Sequence, residues 1–306
     1  MEGQLFSSGK LLLTSEYVVL DGALALAVPT RWGQEFFFEE WESADSIVYW
    51  EAYHEGRLWL SVKIDYQQWK VLDTNLPEAA AFVLKTLKNV QDCSTTKFLG
   101  QQSYRLKTNL QFPSHYGLGS SSTLMANLAK WADIDAFTLN ERSLGGSGYD
   151  VAVAQVGKPI LYQLRPAERM VKTVDYVPAF KDELLFVHLN QKQDSREGIR
   201  LYRSKEKSVE LINDFTKLTE LVLKANDIEI FSALMEEHET KLSQFLGLKT
   251  AKELHFPDCP VFIKSLGAWG GDFVMTRVFP NYRQYFSEKG FNTIISYDEM
   301  VLNDRI

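Results

Sequence analysis

Pro113-Ser114-His115-Tyr116-Gly117-Leu118-Gly119-Ser120-Ser121-Ser122 runs straight into Thr123-Leu124-Met125-Ala126-Asn127-Leu128-Ala129. A loop rich in glycine and serine thus opens a helix, whose apolar face is carried by Leu124, Met125 and Leu128 at helical spacing. Gly117 and Gly119 can take positive φ, which lets a backbone close around a bulky anion. The residues that follow put free N–H groups and hydroxyls at a helix N-terminus, where the macrodipole favours negative charge. A serine N-cap after a turn is the plainer reading of such a stretch, but three consecutive serines after two spaced glycines shift the balance toward a phosphate guest.

Two familiar phosphate motifs are excluded. Gly9-Lys10 is followed by Leu11, where a P-loop needs Ser or Thr on Mg²⁺. The strand–Gly-x-Gly-x-x-Gly–helix unit of a dinucleotide fold is absent as well.

Composition narrows the partners. The chain has 306 residues, a 45% hydrophobic content and a formal charge of −7. That balance suits a globular protein and argues against a nucleic-acid partner, which calls for a basic face. No apolar run approaches the ~20 residues that span a bilayer. The apolar stretch from Leu11 to Val28 is broken by Glu16 and Asp21 and has no basic segment before it, unlike a signal peptide. Cys93 and Cys259 have no metal-ligand spacing. The expectation is a cytoplasmic monomer or homodimer with no membrane partner.

Strands are predicted at Gln4–Leu13, Ala23–Val28, Glu35–Glu39, Ile47–Tyr53 and Leu58–Ile64, where β-branched and aromatic residues are dense. The aromatic residues among them read as core and sheet surface, not as a base-stacking platform. A helix is expected over Leu76–Val90 and a strand over Tyr104–Leu110. Beyond Asp150 the pattern gives a short helix, strands at Pro159–Leu164 and Leu184–Leu189, and amphipathic helices at Val209–Lys224 and Ile228–Leu246. Phe273–Val278, Tyr282–Lys289 and Asn292–Ser296 read strand–helix–strand. Strands and helices do not alternate strictly, so the fold class is α+β.

The opening loop resembles the phosphate-binding motif of the GHMP kinases (galactokinase, homoserine kinase, mevalonate kinase, phosphomevalonate kinase), which runs Pro-x-x-x-Gly-Leu-Gly-Ser-Ser-Ala. Ser122 replaces the final alanine. Ser8-Gly9-Lys10-Leu11-Leu12-Leu13-Thr14-Ser15-Glu16-Tyr17-Val18-Val19 resembles the family's first motif, with Ser8 for its proline and Ser15 for its second glycine. Lys264-Ser265-Leu266-Gly267-Ala268-Trp269-Gly270-Gly271-Asp272 resembles the third, with Trp269 where glycine is usual. Gly146-Ser147-Gly148-Tyr149-Asp150 is similar to the segment that carries the catalytic aspartate. The four matches stand in family order across nearly the whole chain.

The resemblance implies two domains, residues 1–165 like ribosomal protein S5 domain 2 and residues 166–306 ferredoxin-like. It implies ATP and Mg²⁺ as cofactors, with Pro113, Gly117, Leu118, Gly119, Ser120, Ser121 and Ser122 on the nucleotide and the Ser121 hydroxyl on the metal. Phosphoryl transfer is mainly positioning and charge neutralisation. A carboxylate must take or orient the acceptor proton. Asp150 is its candidate, and Lys10 is the cation that keeps it ionised. Glu141 is the only glutamate between Ser121 and Asp150, and it is not assigned as a second metal ligand. Glu16 reads equally well as a structural ion pair or as a site residue.

Glu16-Tyr17 and Asp272 look more like the phosphomevalonate kinases than the galactokinases. Gln191-Lys192-Gln193-Asp194-Ser195-Arg196 loosely resembles a segment of the same enzymes. The resemblance therefore implies a mevalonate or phosphomevalonate acceptor, held by Glu16, Tyr17, Lys192, Ser195, Arg196, Gly267 and Ala268. A diphosphomevalonate decarboxylase-like enzyme and a non-catalytic binding protein of the same fold are the alternatives.

Overall fold

In a computed structural model, residues 1–166, 168–191, 195–267 and 269–303 are described, with Ser195 described by its backbone alone. The chain opens with β1 (Glu2–Leu12), β2 (Ala25–Glu42), β3 (Ile47–His54), β4 (Arg57–Asp65) and β5 (Lys70–Thr74). Then come α1 (Pro77–Cys93), β6 (Gln102–Leu110), α2 (Ser120–Ala132), α3 (Ala136–Ser143) and α4 (Tyr149–Val156). The middle holds β7 (Ile160–Leu164), β8 (Arg169–Thr173), β9 (Leu184–His188), α5 (Ser195–Arg203), α6 (Val209–Lys224) and α7 (Ile228–Leu246). Last are α8 (Ala251–His255), β10 (Lys264–Leu266), β11 (Phe273–Arg277), α9 (Tyr282–Glu288), β12 (Ile294–Ser296) and α10 (Tyr297–Met300). The α+β expectation holds. No helix among the described residues is long and apolar enough to cross a membrane.

The chain divides into two compact units that interleave in sequence. The first comprises residues 1–9, 32–114 and 119–155, the second 10–31, 115–118 and 156–306.

In the first unit the strand order is β5-β4-β3-β6-β2. β3 pairs with β6 in parallel, and β2 pairs with β6 antiparallel over Gln34–Glu42. The inner face carries Phe36, Trp50, Tyr104 and Leu106 against α1 and α2, which contribute Val83, Leu87, Val90, Leu128 and Trp131. α1 starts on Pro77, whose fixed φ suits a first helical turn and whose missing N–H is not needed there. On the other face Trp41 stacks on Tyr49 and Arg105 lies over Trp41, so the aromatics divide between core and sheet surface.

A single strand, β2, occupies the stretch predicted as two. Proline removes a ladder donor and ordinarily ends a strand. Pro29 falls between the residues paired with β7, Ala25–Ala27, and those paired with β6, so neither ladder needs its N–H. The sequence pattern predicts no counterpart for β5, β8 or α3, nor for α8, β10 and α10. β5 and β8 are short and mostly exposed, without the apolar alternation that marks a half-buried strand. The start of α3 is set by Asp135, which accepts the Thr138 N–H at 2.7 Å.

In the second unit β9 lies between β11 and β12, with β10 beyond β11, all antiparallel. α6 begins at an N-cap serine, Ser208, and α7 at Asp227, which accepts the N–H groups of Glu229 and Ile230. One apolar cluster joins Tyr17, Val18, Tyr202, Phe215, Leu242, Leu246 and Trp269.

The first unit also buries an ion pair. Lys97 Nζ meets Glu40 Oε1 at 2.6 Å, and Trp131 Nε1 donates to the same oxygen at 2.7 Å. Breaking one side of such a pair leaves an uncompensated charge in the core. Lys97→Met is expected to lower unfolding free energy by about 3–5 kcal/mol. The double variant with Glu40→Gln should recover a large part of that loss, as read from urea denaturation.

Candidate active site

Gly117 and Gly119 both lie in the left-handed region, at φ 65° and 88°. α2 starts immediately after them, with Gly119 as its N-cap and no side chain capping its first turn. The serines do not act as caps. Ser122 Oγ donates back to the Gly119 carbonyl at 2.8 Å, and Thr123 Oγ1 to that of Ser120 at 2.8 Å. The first turn holds no acidic side chain. A helix start of this kind offers N–H groups that have no intrahelical acceptor. Ser121 is exposed, Ser120 half-buried and Ser122 buried. A second helix of the same unit, α4, starts with Tyr149 and carries half-buried Asp150 in its first turn, with Asp150 Oδ1 accepting the Val151 N–H at 3.0 Å.

In the second unit, three separate stretches of sequence meet at Gly117. The Lys10 ammonium donates to the Gly117 carbonyl at 3.0 Å, and the Lys10 N–H donates to Leu118 O at 2.9 Å. From the other side comes Asp272. A Cβ on Gly117 would lie 2.1 Å from Asp272 Oδ2, and one on Gly267 would lie 2.8 Å from it. Glycine at 117 is therefore required twice, by its φ and by this approach. Asp272 is itself left-handed at φ 54°, held by its carbonyl on the Leu189 N–H at 2.8 Å and its N–H on Gln191 O at 3.3 Å. The Tyr116 ring packs 4.7 Å from His188 and 5.1 Å from Phe273, centroid to centroid. His188 Nδ1 accepts the Asn190 N–H at 3.2 Å, which leaves the proton of the neutral ring on Nε2. Burial, and then the charge of His115, lower its pKa.

No family model matches the chain, and no curated protein matches its sequence. Solved structures do. The mevalonate kinase of Methanococcus jannaschii superimposes with a TM-score of 0.67 at 15% identity, over 96% of this chain and 97% of that one. Streptococcus pneumoniae phosphomevalonate kinase, in complex with phosphomevalonate and AMPPNP, gives 0.69 at 16% identity over 96% and 99%. Lactococcus lactis galactokinase complexed with galactose gives 0.61 at 12% identity over 94% and 88%. The chain has the GHMP kinase fold.

Within this GHMP kinase fold, Glu16 and Tyr17 of the first motif point into the second unit. Glu16 is 4% exposed, and its Oε1 accepts from Lys264 Nζ at 2.6 Å. Lys264 is fully buried and lies 3.6 Å from Glu239 as well, whose carboxylate receives the Ser265 hydroxyl at 2.6 Å. His238 Nε2 sits 3.3 Å from Glu16 Oε2 and accepts the Ser15 N–H at 2.7 Å. Ser15, standing where the related motif has glycine, keeps a glycine-like φ of 64°, and its hydroxyl donates to Leu24 O at 2.7 Å. The Trp269 indole joins the apolar cluster around Tyr17 and Tyr202.

Of the residues expected from sequence, Lys10, Gly117 and Leu118 come together in the second unit, with half-buried Pro113 just upstream in the first. Gly119, Ser120, Ser121, Ser122 and Asp150 stand at two helix starts of the first unit. Gly267 lies against Asp272, and Arg196 is exposed in the first turn of α5. Lys192 and Ala268 fall outside the described residues, as does the Ser195 side chain. Asp272, Tyr116, His188, His238 and Glu239 were not singled out as site residues. Asp272 carried a signal, as the acid that ends a Gly-Gly pair; the two histidines and Glu239 sit in ordinary strand and helix patterns and carried none.

Burial, with Lys264 adding to it, holds the His238 pKa well below its usual 6.5. The folded imidazole therefore stays neutral where the unfolded chain takes up a proton. Its contribution to stability is complete above about pH 6.5 and declines as the pH falls below that value. Gln at this position keeps an acceptor for the Ser15 N–H without titrating. Wild type should lose stability relative to His238→Gln as the pH falls from 6.5 to 5, with a slope that steepens toward about 1.4 kcal/mol per pH unit. Glu16, whose pKa burial raises, acts with the opposite sign and is present in both proteins. Denaturant melts across that window measure the difference.

Proposed function

We propose that the chain is an ATP-dependent small-molecule kinase that transfers the γ-phosphate to a hydroxyl or phosphate of an acidic metabolite, with mevalonate or phosphomevalonate as the acceptor. The observation that carries this reading is the uncapped start of α2, reached through two left-handed glycines, one of which has the Lys10 ammonium on its carbonyl. Backbone N–H groups and the helix dipole favour phosphate at such a start, and the first turn of α2 itself carries no acidic side chain.

In this reading Gly117, Leu118, Gly119, Ser120 and Ser122 shape the phosphate cradle after Pro113, and the exposed Ser121 hydroxyl serves as a Mg²⁺ ligand. Mg²⁺ takes few protein ligands and keeps waters and phosphate oxygens. It neutralises charge on the phosphates during transfer. Asp150 takes or orients the proton of the acceptor hydroxyl, and Lys10 contributes positive charge to the site. The oxygen of the acceptor then bonds to the γ-phosphorus as the bond to the β–γ bridging oxygen breaks.

The acceptor class is supported by the Glu16-Tyr17 and Asp272 variants and by the phosphomevalonate bound in the structurally similar Streptococcus pneumoniae kinase. Lys192, Ser195 and Arg196 are proposed to meet its carboxylate or phosphate, with Gly267 and Ala268 beside it; Arg196 can do so with two parallel hydrogen bonds.

ADP release measured across mevalonate, phosphomevalonate, homoserine and galactose tests the reading. Turnover is expected with mevalonate or phosphomevalonate, and turnover on galactose alone contradicts the acceptor class. Asp150→Asn should lower kcat by roughly 10²–10⁴-fold with little change in nucleotide affinity, as for loss of a general base. Arg196→Ala should raise KM for the acceptor and leave KM for ATP nearly unchanged.

A further inference from the structure

We infer that Glu16 and Tyr17 act as a clasp that sets the third glycine-rich segment from Lys264 to Asp272, and that neither side chain contacts the acceptor. The functional part of this inference rests on the kinase reading above; the geometry does not.

The two neighbouring side chains hold the segment at two points five residues apart. Glu16 Oε1 accepts from Lys264 Nζ at 2.6 Å, and the same ammonium donates to Ser265 O at 2.6 Å. Tyr17 Oη accepts the Trp269 N–H at 2.8 Å. Trp269 is fixed further by its indole N–H on Lys249 O at 3.0 Å. Gly267 lies between these two contacts and Asp272 just beyond them; Asp272 closes on both Gly267 and Gly117.

Two costs are accepted to place the phenol. Tyr17 sits at φ 63°, ψ −45°, and the Val18 N–H reaches back to Glu16 O at 2.8 Å, which makes a tight γ-turn of the strained, positive-φ kind. A bulky residue there is an outlier that persists only when its surroundings require it. The second cost is Gly198 inside α5, a residue type that weakens helices. A Cβ at 198 would lie 2.1 Å from Tyr17 Oη. The helix gives up a side chain so that the hydroxyl can reach Trp269. The clasp also accounts for tryptophan at a glycine position, because only its backbone N–H is needed at Tyr17 while the ring packs with Tyr17 and Tyr202.

The test uses the full chain labelled with 5-fluorotryptophan, with the Trp269 resonance assigned by Trp269→Phe. Tyr17→Phe removes only the acceptor, and Gly198→Ala displaces the phenol from the other side. Each should shift the Trp269 fluorine resonance and leave the other tryptophans in place. Each should raise KM for MgATP by about tenfold, as expected when a buried N–H loses its partner, with KM for the acceptor nearly unchanged. A Tyr17→Phe protein with an unmoved Trp269 resonance overturns the clasp. So does one in which KM rises for the acceptor but not for ATP, since Tyr17 would then touch the acceptor. A wild-type protein without ATP-dependent turnover strikes the kinase reading instead, and the fluorine spectrum alone then decides the clasp.

Discussion

The close approach of the Asp272 carboxylate to the Cα of Gly117 is the constraint on which the rest of the second unit's site depends. A side chain at 117 has no room, and the φ of 65° is one that only glycine adopts without strain. With that residue fixed, the Gly117 carbonyl is presented to the Lys10 ammonium and the Leu118 carbonyl to the Lys10 N–H. Three stretches far apart in sequence are thereby tied to one peptide. The next residue but one, Gly119, is again left-handed and begins α2. The direction in which the chain enters that helix is thus set by backbone geometry and not by a capping side chain.

Around this point the second unit invests in buried charge. Glu16, Glu239 and Lys264 are each almost wholly enclosed, and the neutral His238 beside them completes the group. Burying ions is seldom the cheapest route to stability, because desolvation offsets much of the attraction. What such a group does here is hold register: Glu16 meets Lys264, and Lys264 is held in turn between Glu16 and Glu239. The consequence is a first motif and a third motif locked to each other before any ligand arrives, the preorganisation that the proposed phosphoryl transfer would call for.

Much of this was legible in the sequence, for identifiable reasons. Gly117 and Gly119 announce positive φ because no other residue type takes it freely, and both are left-handed. α6 and α7 match their predicted limits, because long amphipathic periodicity marks them, and in the structure they start on caps at Ser208 and Asp227. Short exposed strands such as β5 and β8 were not legible, since nothing in five mostly solvated residues distinguishes an edge strand from a loop. The inward turn of Glu16 and Tyr17 was hidden for a different reason. Its causes, Lys264, Gly198 and the Trp269 N–H, lie far along the chain, and a charged residue beside a glycine-rich motif reads locally as a ligand. The place of the Trp269 ring, in the apolar cluster with Tyr17 and Tyr202, depends on equally distant residues.

The account stands most directly on whether the glycine loop binds a nucleotide's phosphates. Calorimetric titration of the magnesium complex of AMPPNP into wild type and into Gly117→Ala, with both proteins checked for cooperative unfolding, measures this. The account predicts saturable binding to wild type and none to a Gly117→Ala protein that remains folded, because the added methyl drives Asp272 and the loop apart. Equal affinity in the two folded proteins would contradict it.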